Sequence, residues 1–150
     1  MAPDQILYCN TTGCRTAYLV KEILRTLIRR FEEEEIELTV EQYFILNILD
    51  KEDGLILQEV AEIVDRDKSA VLRHIDGLES NHFITRVTDS GDKRRKLLLV
   101  TKPGLQVLER ARAIDQKLDK EMAGQIKNME IEAFEEALSS MYQYLVSKND

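Results

Sequence analysis

Between Val60 and Thr101 the chain passes through two short segments of helical apolar spacing and then two alternating segments around the tip Asp92-Lys93-Arg94-Arg95-Lys96. A helix pair followed directly by a cationic hairpin is the layout of a winged helix-turn-helix. That arrangement offers DNA one helix for the major groove and one basic finger beside it. The first helix is expected over Gln58 to Val64, through Val60, Ala61 and Val64, with Asp65-Arg66 as the turn. Asp67 is placed to cap the second helix, Lys68 to Ser80, in which Val71, Leu72, Ile75 and Leu78 face inward by steps of three and four. Ile84 to Thr88 and Lys96 to Val100 read as the two strands of the wing, joined by a polar loop containing Gly91.

The net charge of −7 would count against a nucleic-acid partner if it were evenly spread. It is not. From Arg66 to Lys102 there are nine Lys/Arg against five Asp/Glu, a local net of +4, which leaves twelve basic and twenty-three acidic residues, a net of −11, elsewhere. A basic segment in an acidic chain directs one face toward phosphate and turns the others away from it.

The flanks read as helices. Thr11 to Glu35 carries the stripe Leu19/Val20, Ile23/Leu24, Leu27/Ile28 and Phe31, and begins near Thr11 or Thr12. It ends in four consecutive glutamates, a solvated run that opposes the helix dipole and is expected to fray. Thr39-Val40-Glu41-Gln42 has the spacing of a capping box. The helix it opens buries Tyr43, Ile45/Leu46 and Leu49 and stops near Asp53-Gly54. Leu55-Ile56-Leu57 suits a short strand at the edge of the wing sheet. Thr101 caps a helix with Pro103 in its first turn, through Leu105, Leu108, Ala111, Ile114/Asp115, Leu118 and Met122. A last helix from about Glu130 carries Ile131, Phe134, Leu138, Met141 and Leu145, a narrow seam suited to packing on another helix.

The second helix of the motif turns Lys68, Ser69, Ala70, Arg73 and His74 away from its buried stripe. Small side chains near its N-terminus permit close approach to a groove, and Arg73 can contact guanine bidentately. Lys93, Arg94 and Arg95 sit on a turn too polar for a core, and a thin arginine-tipped hairpin suits a narrow, electronegative minor groove. Asp92 is expected to pair with Arg86 or Arg94 and hold the wing's shape.

Taken together, Asp67-Lys68-Ser69-Ala70-Val71, Leu78-Glu79, Phe83-Ile84-Thr85-Arg86, Asp92-Lys93-Arg94-Arg95-Lys96-Leu97 and Val100-Thr101 resemble the MarR family of bacterial transcriptional regulators. The resemblance implies a mainly α fold with a small β wing, flanked by long N- and C-terminal dimerisation helices. It divides the chain into a dimerisation helix over 1–36, a winged helix-turn-helix DNA-binding domain over 37–101, and C-terminal dimerisation helices over 102–150 that form one compact unit with 1–36. It implies a homodimer on a pseudo-palindromic double-stranded operator, usually a repressor released by a small molecule or an oxidant. By position Arg73 and its neighbours would read the major groove, Arg94 would enter the minor groove, and Asp92 would anchor the wing. Three positions depart from the family. His82, after Asn81, stands where glycine is usual before the first wing strand. Gly77 lies inside the recognition helix in place of the usual basic contact. Ile56 and Leu57 replace a Ser/Thr cap.

Cys9 and Cys14 are too few and too close for a disulfide framework, which fits a reducing compartment, and they read as reduced thiols. The sharper alternative is a low-pKa thiol at a helix N-terminus that senses oxidants, as in some members of the resembled family. Their spacing does not match a metal pair, and neither a metal nor a cofactor is expected. Tyr8, Tyr18 and Tyr43 are either core and interface aromatics or the lining of an effector pocket between the dimerisation helices and the winged helix. No nucleophile with a paired base, phosphate loop or carboxylate cluster at ligand spacing is present, so the chain does not read as an enzyme. No apolar run is long enough to span a bilayer, and a cytoplasmic location without membrane partners is expected. The competing reading is a winged-helix protein-interaction module that meets an acidic partner and binds no specific DNA.

Overall fold

The computed structural model describes residues 8–126 and 130–149. The elements run α1 (Thr12–Glu33), α2 (Val40–Lys51), α3 (Leu57–Ile63), α4 (Lys68–Ser80), β1 (Ile84–Thr88), β2 (Lys96–Val100), α5 (Lys102–Ala123) and α6 (Ile131–Asn149). The chain divides into two compact units, Met1–Ile114 and Asp115–Asp150, with α5 running from the first into the second. The first unit holds the winged helix; its core is built from Phe31, Tyr43, Leu46, Leu49, Val60, Val71, Ile75, Leu78, Ile84, Leu98 and Leu108.

The caps anticipated from the sequence form. Thr11 accepts the Cys14 N–H at the start of α1. At α2 the Gln42 N–H donates to the Thr39 hydroxyl (3.2 Å) while the Thr39 N–H donates to Gln42 Oε1 (2.9 Å), a complete capping box. Asp67 Oδ2 accepts from the Ser69 and Ala70 N–H groups at the start of α4. At α3, where Ile56 has no acceptor to offer, Glu59 reaches back to take the Ile56 N–H at 2.8 Å.

Three helices share a C-terminal device. Glu35 (φ 52), Asp65 (φ 48) and His82 (φ 60) are the non-glycine residues with left-handed backbone among those described. Each sits one position past a helix cap. The following N–H closes onto the carbonyl five residues back: Ile36 to Phe31, Arg66 to Ala61 and Phe83 to Leu78. This is the Schellman closure, which glycine normally fills. The end of α1 is therefore not the open, fraying terminus expected from its glutamates. Its carbonyls are satisfied by this closure, by the Glu34 N–H onto Arg30, and by Arg110, whose guanidinium donates to the Glu34 carbonyl at 2.8 Å.

Several packing expectations are corrected. Leu55-Ile56-Leu57 is not a sheet strand: Leu57 opens α3, and the link to the wing is one hydrogen bond from the Leu98 N–H to the Leu55 carbonyl (2.8 Å). The sheet described is the antiparallel pair β1–β2, from Ile84 opposite Val100 to Thr88 opposite Lys96. Leu72 is not inward. It is 37% exposed, because Val71, Ile75 and Leu78 already fill the interior side of α4. Leu105 is likewise exposed, whereas Val107 joins Leu108 among the buried residues of that turn of α5. In α1 only Leu27 and Phe31 of the apolar stripe are buried, whereas Leu19, Val20 and Ile28 face outward. In α6 no residue is buried.

Cys9 and Cys14 are joined in a disulfide, with Cα atoms 5.5 Å apart, so the reading of two reduced thiols is corrected. The chain turns into α1 between them, which brings residues five apart in sequence within bridging distance. Cys9 is 2% exposed, and its carbonyl accepts from Arg15 Nε at 3.2 Å.

Candidate nucleic-acid interface

Helix α4 separates its residues by angle. Val71, Ile75 and Leu78 are buried, whereas Ser69, Leu72, Arg73 and Asp76, spaced i, i+3, i+4 and i+7, are exposed and share a face. Lys68 is also exposed; Ala70 and His74 are half-buried at the edges of the outer surface. The His74 carbonyl accepts from Gln42 Nε2 at 3.4 Å, so the glutamine that completes the α2 capping box also ties α2 to the middle of α4. Gly77 follows from that tie. A Cβ there would stand 2.7 Å from Gln42 Nε2, an atom already held at both ends of the amide.

The wing closes by its own polar groups. Asp89 Oδ1 accepts the Gly91 N–H, Asp92 Oδ1 accepts the Arg94 N–H at 2.9 Å, and the Arg95 N–H donates to the Asp92 carbonyl. Asp92 thus shapes the tip through backbone groups. The expected side-chain pairing of Asp92 with Arg86 or Arg94 does not form. Arg86 reaches α4, bonding Asp76 Oδ1 and Glu79 Oε2 (3.1 Å), because the Arg86–Leu98 side of the hairpin packs toward that helix. Arg95 reaches α3, meeting Glu59 Oε1 at 3.3 Å, and Lys96 donates to Thr88 across the strand pair.

These pairings sort the cations of the basic segment. Arg86 and Arg95 are held by carboxylates and fix the wing against α4 and α3. Arg66, Lys68, Arg73, Lys93 and Arg94 make no ion pair among the described residues, and all five are exposed. Positive charge left without an internal partner is positive charge available to phosphate. Sequence reasoning found every one of these cations but could not divide them. The signal for Arg86 lay in the acids Asp76 and Glu79, three residues apart on one flank of α4.

A cavity of about 310 Å³ lies between the C-terminal half of α1 and the start of α2, with Ile28, Phe31, Ile36, Leu38 and Val40 supplying its apolar lining and Glu32, Thr39 and Glu41 its polar lining. The three tyrosines do not line it. Tyr43 is buried edge-on against Phe31, with ring centroids 5.6 Å apart; Tyr18 lies beside Lys21, and Tyr8 is exposed. Arg112 of α5 ties that helix to α2, bonding Asp50 Oδ2 (2.7 Å) and Asn47 Oδ1 (2.9 Å), and meets Glu109 Oε1 of its own helix at 2.7 Å. Burial alone would lower the pKa of this guanidinium, but the two carboxylates outweigh it and hold the pKa above its ordinary value. Among the described residues no cluster of His, Cys, Asp and Glu could hold a metal ion. None of the helices described is long and apolar enough to cross a membrane.

Residues 38–96, which include α2, α3, α4 and most of the wing, match the MarR family. A Thauera aromatica protein named for transcriptional regulation of the hcr operon is 28% identical over 88 residues, 59% of this chain and 53% of that protein. The chain thus spans about half the length of that relative. The Escherichia coli transcriptional regulator HosA is 24% identical over 122 residues, 81% of this chain and 90% of HosA. Among solved structures the Staphylococcus aureus MepR–DNA complex superimposes with a TM-score of 0.76 at 23% identity, covering 90% of this chain and 96% of MepR.

Proposed function

We propose that this chain, whose residues 38–96 match the MarR family, is a homodimeric, sequence-specific double-stranded DNA-binding regulator, a repressor released by a small ligand or an oxidant. The observation that carries this reading is the division of cations. Arg73 and Lys68 on the outer face of α4, and Lys93 and Arg94 at the wing tip, are uncompensated, whereas Arg86 and Arg95 are consumed in positioning the wing. In this reading Lys68, Ser69, Ala70, Arg73 and His74 line the major groove, with Arg73 reading guanine. Lys93 and Arg94 enter the minor groove, and Arg95 contributes field rather than contact because Glu59 holds it.

Residues 37–101 serve as the DNA-binding domain, and the flanks 1–36 and 102–150 as dimerisation arms. The outward apolar residues Leu19, Val20 and Ile28 of α1, and Leu138, Met141 and Leu145 of α6, are the surfaces a second copy would cover. Dimerisation sets the two recognition helices about one DNA turn apart, roughly 34 Å. An effector in the cavity beside Phe31 would move the start of α2, and with it Gln42 and α4. The chain acts in the cytoplasm and is not an enzyme. A disulfide in a reducing compartment is usually transient, which makes Cys9–Cys14 the candidate for an oxidant-responsive element.

The test is selection of bound duplexes from a random pool at moderate salt. Recovery of an inverted repeat with half-sites one turn apart, bound with a steep salt dependence, is the expected result. Recovery of nothing above background at low salt would replace this reading with a protein-interaction module. Repeating the selection with and without a dithiol reductant reads the contribution of the disulfide.

A further inference from the structure

We infer that Leu72 is a specificity-determining residue that reads the C5-methyl group of a thymine in each operator half-site. The inference rests on the DNA-binding reading above and adds to it a contact that charge alone does not provide. Leu72 is a large aliphatic side chain left 37% exposed on a helix whose interior side is already filled by Val71, Ile75 and Leu78. It shares the outer face of α4 with Ser69 and Arg73, three residues after the first and next to the second. The fourth member of that face, Asp76, would repel a phosphate backbone, but Arg86 neutralises it. What this face then offers the groove is a small hydroxyl, an unpaired guanidinium and one branched apolar group.

The major-groove edge of DNA offers such a group one counterpart. Guanine, adenine and cytosine present acceptors and donors there, and thymine alone adds a methyl. A leucine can satisfy none of the polar atoms, so its contact favours thymine, whose methyl it can cover, over cytosine, which offers no methyl at that edge. Because Leu72 and Arg73 are adjacent on the helix, the selected thymine is expected next to, or one step from, the guanine contacted by Arg73.

The experiment replaces each thymine of the selected operator, one position at a time, by uracil, which keeps pairing and removes only the methyl. The wild-type dimer is expected to lose about fourfold in affinity at one thymine per half-site, the scale of one methyl withdrawn from an apolar contact. Leu72→Ala, confirmed as a folded dimer by its unfolding transition and sedimentation, should bind thymine and uracil at that position equally while still discriminating at the guanine. Leu72→Met should retain the sensitivity. Indifference of the wild-type protein to uracil at every position would overturn the assignment, as would a Leu72→Ala variant that keeps the full methyl effect. Failure of the wild-type protein to bind any duplex would overturn the DNA-binding reading and this inference with it.

Discussion

Helices α4 and α6 carry apolar residues at the same alternating spacing of three and four, yet the chain treats them oppositely. In α4 the stripe is buried to completion by α3, α2 and the first wing strand, so Val71, Ile75 and Leu78 are nearly inaccessible. In α6, nineteen residues long, nothing is buried, and Leu145 is 59% exposed. Periodicity therefore specifies that a face wants cover but not where the cover comes from. For α4 it comes from the same chain. For α6 the described residues supply no cover, and in the proposed dimer a second copy covers the seam.

Four measurements break or sharpen that contrast. The largest effect is expected inside α4: Ile75→Ala should destabilise the fold by about 3–4 kcal/mol in chemical denaturation, compared with wild type at the same protein concentration. Next, Leu138→Asp combined with Leu145→Asp should leave the winged helix folded by circular dichroism. The sedimenting species should become a monomer, and operator affinity should fall by about 100-fold as the half-sites cease to be bound together. If that double variant remains a dimer, the seam of α6 is not the dimer contact. Arg73→Ala should cost about 1–3 kcal/mol of operator binding and relax base preference, whereas Arg94→Ala should weaken all duplexes alike and flatten the salt dependence. The smallest expected change is a gain. His82→Gly should raise stability by about 1 kcal/mol, since glycine adopts the left-handed backbone of the α4 closure without cost.

Much of the fold was legible because its signals are local. The strand limits Ile84–Thr88 and Lys96–Val100 follow from alternation between turn residues, and the Thr39 and Asp67 caps from side chains within three residues of the groups they satisfy. His82 was readable as a left-handed position because histidine there replaces glycine in the family. Glu35 and Asp65, which adopt the same backbone, were not: nothing nearby in sequence marks a closing residue when it is not glycine. Gly104 gave no signal either. A Cβ there would stand 2.0 Å from the Phe83 carbonyl oxygen, a contact between segments twenty-one residues apart.

The candidate interface was legible as a set of residues and illegible as a set of roles. Arg86, Arg94 and Arg95 have the same chemistry and lie within ten positions, but Asp76, Glu79 and Glu59 come from two other helices and select which of them are consumed. Leu72 was misplaced for a related reason. Val71 and Leu72 satisfy the spacing of three and four equally well with Ile75, and only the packing of α4 against its neighbours decides which turns inward.

By itself, then, the sequence determined the six helices, the two wing strands, the caps at Thr39 and Asp67 and the location of the basic segment, because each depends on side chains acting over one or two turns of chain; the strand expected at Leu55-Ile56-Leu57 was the exception. Tertiary structure alone decided which apolar residues are core, which cations remain free for a polyanion, and that Cys9 meets Cys14. Those outcomes depend on which partner reaches a group first in space, and distance along the chain does not encode that competition.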